Sequence, residues 1–141
     1  MPFMRKVTVM GRSIIAVVLG FIIANVVIMG VHVISTLIYP LPPGFDMHDP
    51  EAMRERMSTL PAMAFLWVAL AHFLGTAAGA AFAAWMARRS PAVHGLIVGG
   101  LVLAGGVANQ LMLPHPAWFW PVGLAAFPLG TLVGLRLARR A

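Results

Sequence analysis

The residues of this chain that could do chemistry within its apolar runs are few and uncharged: Asn25, His32, Ser35, Thr36, His72, Thr76, Asn109, Gln110 and Thr131. An imidazole can ligate a metal or haem iron and can pass a proton. An amide both donates and accepts hydrogen bonds. If the runs are membrane helices rising about 1.5 Å per residue, His72 falls near mid-membrane and Asn25 near the middle of its span. His32 and Asn109 fall closer to the outer surface. Asn25, His32, His72 and Asn109 could therefore form a polar cluster opening outward. The simpler reading, that each does no more than hydrogen-bond a neighbouring helix, is favoured on sequence, and the cluster stands as the alternative.

Much other chemistry is excluded. The chain has no cysteine, which removes disulfides, thiolate nucleophiles, thiolate zinc sites and iron–sulfur clusters. No Asp, Glu, Lys or Arg falls inside the apolar runs, whereas proton pumps and ion-coupled carriers commonly use buried ionisable residues. On helical depth, His32 and His72 should lie several ångströms apart, and His94 and His115 should lie at opposite surfaces, which argues against a shared haem. No nucleophile–base pairing, phosphate-binding loop or carboxylate–histidine metal cluster is apparent. No cofactor, metal site or catalytic residue is expected.

The elements that must position these residues follow from the charges. Of 141 residues, 60% are hydrophobic and only 10% charged, against about a quarter charged in a soluble domain. No charged residue occurs over 13–45, 57–87 or 90–135. A helix needs about 20 apolar residues to cross the hydrocarbon core, so the first two stretches hold one span each. The third holds two, divided by Pro114-His115-Pro116. The expected fold is an all-α membrane protein, a single four-helix bundle with spans at about 13–39, 61–87, 92–113 and 117–137.

The net charge of +6 does not point to nucleic acid, because the basic residues sit at span ends rather than along one face. Arg5, Lys6 and Arg12 precede the first span, Arg88 and Arg89 join the second and third, and Arg136, Arg139 and Arg140 follow the fourth. The 40–60 connection holds all four acids with only Arg54 and Arg56. Cytoplasmic loops are enriched in Lys and Arg, so both termini are expected in the cytoplasm. The first run exceeds a signal peptide's apolar region and lacks a small-x-small cleavage site; it reads as an uncleaved span. Nine arginines against one lysine, with abundant Ala and Gly, hint at a bacterial source and an inner-membrane location.

Between the first two spans, Pro40-Leu41-Pro42-Pro43-Gly44 must turn. Asp49-Pro50-Glu51 then reads as a helix start, giving a short interfacial helix at about 50–60 with Met53 and Met57 on one face. Trp118, Phe119 and Trp120 read as an outer aromatic belt. Small residues four apart favour close helix packing in lipid, and Gly75 with Gly79, Gly95 with Gly99, and Gly130 with Gly134 form three such pairs. They could serve the bundle itself or contact other subunits. Leu74-Gly75-Thr76-x-x-Gly79 matches Leu129-Gly130-Thr131-x-x-Gly134 at an offset of 55 residues. That offset would fit a parallel duplication of a helical hairpin, with chance as the competing explanation.

The segment Tyr39-Pro40-x-Pro42-Pro43-Gly44, Asp49-Pro50-Glu51-Ala52-Met53 and Leu113-Pro114-His115-Pro116-x-Trp118-Phe119-Trp120 resemble an uncharacterised family of small four-span bacterial membrane proteins. The resemblance implies membrane class and topology and brings no activity. The leading functional expectation is action by helix association, as a homo-oligomer or as an accessory subunit of a membrane complex, with lipid and other membrane proteins as partners. The alternative is a passive channel or small-solute carrier using the outward-opening polar cluster.

Overall fold

Each charge-free stretch forms helix, and the proline-bearing segments between them do not. The computed structural model describes residues 2–87 and 89–140, with side chains from Met10 onward; Arg88, one of the expected basic residues of the second turn, lies outside them. The helices are α1 (Pro2–Ile38), α2 (Pro50–Thr59), α3 (Ala62–Met86), α4 (Pro91–Met112) and α5 (Phe119–Ala138), and no strand occurs among the described residues. Four helices are long and apolar enough to cross a membrane: Met10–Ile38 within α1, then α3, α4 and α5. The shortest, α5, has 20 residues, or about 30 Å of rise, matching the hydrocarbon core. These features are those of a multi-pass membrane protein. Helix α1 starts at Pro2 rather than near Ser13, since nothing in the basic N-terminal segment breaks a helix and proline suits a first turn.

Helix α3 is the centre of the bundle and packs on α1, α4 and α5. Its alanines and glycines let the other backbones come close. A Cβ on Gly79 would strike the Gly20 carbonyl and the Ala24 side chain, and one on Gly75 would strike the Ala24 carbonyl and Ile28. On the opposite side, Gly130 lies against the Phe73 carbonyl and Thr76, and Gly134 against the Ala77 carbonyl and Ala81. Helix α4 closes the bundle through Gly95 against Leu135 and the Ala80 carbonyl, and through Gly99 against Thr131. All six of these glycines therefore meet helices of this same chain. The matched motifs occupy different environments, with Gly75 and Gly79 facing α1 but Gly130 and Gly134 facing α3.

Two apolar clusters fill the interior. One joins Ala24, Ala83, Val98, Val102 and Phe127; the other joins Phe65, Ala69, Phe119 and Ala126. Phe119 is 1% exposed, so of the three aromatics opening the last span it belongs to the core and not to an interfacial belt. It meets Phe65 at 5.7 Å, while Trp118 is exposed. Helix α4 is unbroken through Gly105-Gly106, and Gly106 leaves room for the Phe127 ring.

The connections follow local chemistry. Gly44 adopts φ +74°, a left-handed conformation that glycine enters without cost. The Asp49 carboxylate accepts from the Glu51 amide at 2.9 Å and caps α2, with Pro50 following it. The Arg56 guanidinium donates to the Tyr39 and Pro40 carbonyls at 3.1 and 2.9 Å, tying α2 to the end of α1. At the other end of the bundle, Arg12 Nε donates to the Met86 carbonyl at 2.9 Å. That bond satisfies a carbonyl the last turn of α3 leaves open.

Candidate functional site: a polar recess between α1, α3 and α4

The α1–α3 register is set by glycine, with Ala24 beside Gly79 and Ile28 beside Gly75. Because the two helices run antiparallel, that register carries His32 to the level of His72. Their rings lie 5.8 Å apart, edge to face at 78°.

Helices α1 and α4 approach at Gly20 and Val98, and farther along they enclose a recess of about 240 Å³ floored by α3. Asn25 and His32 from α1, His72 from α3 and Asn109 from α4 all line it, with Phe21, Leu101 and Gly105 among the apolar remainder. His72 is the deepest polar group, 8% exposed, with its ring 4.8 Å from that of Phe127. Its Nδ1 has no hydrogen-bond partner. Asn25 donates Nδ2 to the Phe21 carbonyl on its own helix at 2.8 Å, which leaves its amide oxygen to accept. Asn25 and Asn109 are exposed at the rim.

Val102 lines the recess and also belongs to the buried cluster of Ala24, Ala83, Val98 and Phe127. The lining carries no charged side chain. What it offers is a set of neutral donors and acceptors on an apolar surround. A volume below the roughly 300–1,000 Å³ of drug-sized pockets limits the occupant to a small solute and leaves no room for a porphyrin. Among the described residues no three His, Cys, Asp or Glu side chains converge to hold a metal ion.

The other intramembrane polar groups face elsewhere. Thr36 and Thr131 donate to the His32 and Phe127 carbonyls of their own helices, at 3.0 and 2.9 Å. Gln110 is 4% exposed with both amide atoms unpartnered, and it turns toward Gly123 of α5 rather than into the recess. Thr76 is fully buried with its hydroxyl unpartnered. His94 lies at the start of α4, its Nδ1 3.0 Å from the Ser90 carbonyl, and His115 lies in the α4–α5 turn at the other end of the bundle. Phe127 had no signal in the sequence as a site residue; the Gly106 opposite it, which admits its ring, was the nearest hint.

No family model, no curated protein and no solved structure matches this chain, so the functional reading rests on its own side chains.

Proposed function

We propose that this protein is a small-solute-binding membrane protein, the binding step of a passive carrier, whose recess takes an uncharged hydrogen-bonding molecule. The observation that supports this reading most is the convergence of Asn25, His32, His72 and Asn109 on one recess. The buried apolar cluster that Val102 joins argues for a binding site over an open pore. The distribution of basic residues supports an orientation with both termini cytoplasmic, in which α2 would lie on the outer side of a bacterial inner membrane.

A second reading, association with another membrane chain, draws on Asn25 and Asn109, whose amides stand exposed at the α1–α4 cleft. Amides at such positions hydrogen-bond across helices, so a partner helix could cover the same cleft. The glycine pairs lend this reading little, because each meets a helix of the same chain.

Native mass spectrometry of the protein extracted from its own membrane in mild detergent separates the two. A reproducible small-molecule mass on a single chain, lost in Asn109→Leu and His72→Leu, is the expected result. A stable second chain, retained when no small mass is present, would favour association. A bare monomer would sink both.

A further inference from the structure

Beneath α2 lies a second cavity of about 170 Å³, whose lining includes Ser35 and Val68, one helical turn from His32 and His72. Met47, Met53, Met57 and His115 also line it. We propose that this cavity is a binding site for a soft monovalent metal ion, Cu(I), held by the thioether sulfurs of Met53 and Met57 and by Nε2 of His115, with Met47 as a further donor. The site is separate from the recess and does not depend on what the recess binds.

The donor set is the first reason. Thioethers are soft, neutral ligands that select Cu(I) over harder ions. Met53 and Met57 stand four residues apart on α2, both half-buried toward the bundle while Arg54, Glu55 and Ser58 of the same helix are exposed. The imidazole is the second reason. His115 Nδ1 lies 3.2 Å from the Leu113 carbonyl. Donation to a backbone carbonyl is the outer contact that fixes a metal-ligating histidine's tautomer and ring orientation.

The charges around the cavity set the selectivity. No carboxylate lines it, and the chain has no thiol to compete. Arg56 does line it, its guanidinium engaged with the Tyr39 and Pro40 carbonyls. That positive charge repels a dication twice as strongly as a monocation, which disfavours Zn²⁺. Methionine also serves as flexible filler in irregular cores, and Met57 does pack on the Phe65 cluster. Filling space, however, gives no reason for an imidazole to line the same cavity as three thioethers.

The test uses the full chain without a histidine tag, purified in detergent. Ag(I), a redox-inert stand-in, is titrated calorimetrically, and Cu(I) is measured in competition with a chromophoric chelator. One equivalent should bind, with affinity falling by about tenfold or more, the scale of losing ligand support at a metal site, in Met53→Leu/Met57→Leu. Zn²⁺ should not bind at the same concentrations. Leucine keeps apolar bulk at both positions, and circular dichroism with a melting curve verifies that the variant folds. Absence of stoichiometric binding would overturn the proposal. So would undiminished binding in the double variant, whether the ion then sits at His32 and His72 or elsewhere.

Discussion

His72 shows how little the sequence of one residue says about its role. Its helical position placed it near mid-membrane, but only the packing of α1 on α3 brings it to His32, and only the Gly106 gap brings Phe127 under its ring. Four polar positions were legible as the atypical residues of apolar stretches; which of them share a cavity was not, because that depends on register and rotation between helices. Asn109 and Gln110 illustrate the point, adjacent in sequence yet turned toward α1 and α5 respectively. His115 permits a prediction of sign. Burial lowers its pKa from the usual 6.5, so the folded state binds fewer protons than the unfolded one below that value. Stability is then unaffected above the usual imidazole range and declines as pH falls through it. The ring stacks on Phe119 at 5.1 Å, and Phe119 meets Trp118 at 5.9 Å. Acidification below about pH 6.5 should therefore change Trp118 emission in the native chain and leave it unchanged in His115→Gln. An identical transition in the variant would remove His115 from the explanation.

At the scale of elements, the spans were readable because charge is excluded from hydrocarbon at high cost, and their ends because proline cannot continue a helix. The division at Pro114-His115-Pro116 and the Asp49 cap of α2 both follow from such local rules. What each glycine packs against did not follow, since a line of small residues on a helix does not say whose backbone approaches it. In the structure these lines belong to the bundle, and that yields a paired test. A Cβ at Gly134 would meet the Ala77 carbonyl and Ala81, whereas one at Gly100 would meet nothing within 4 Å. Gly134→Ala should lower stability by about 1–3 kcal/mol through overpacking. Gly100→Ala should be neutral or raise it by up to about 1 kcal/mol through reduced backbone entropy. Thermal melting in detergent measures both, and equal effects would mean the α3–α5 contact is looser than described.

For the whole molecule, the Arg12–Met86 and Arg56–Tyr39 ties hold the two ends of the bundle with opposite charge character. The proposed topology expects a fluorescent-protein fusion to glow at both termini and alkaline phosphatase to be active only when inserted within the 40–60 connection. Phosphatase activity at either terminus would reverse the orientation and put the recess mouth on the inner side. On the proposed reading, a solvent-reachable polar recess runs from the α2 side between α1 and α4 and stops at the Ala24, Val98 and Phe127 cluster. Because the chain has no cysteine, single-cysteine variants can be labelled without background. The most direct measurement is reaction of a small, membrane-impermeant thiol reagent, added from the α2 side, with Asn109→Cys and Val98→Cys. Modification of Asn109→Cys with Val98→Cys unreactive is the predicted result. An unreactive Asn109→Cys would mean that lipid or another helix covers the cleft, contradicting the recess as a solute site, and a reactive Val98→Cys would contradict its closed end.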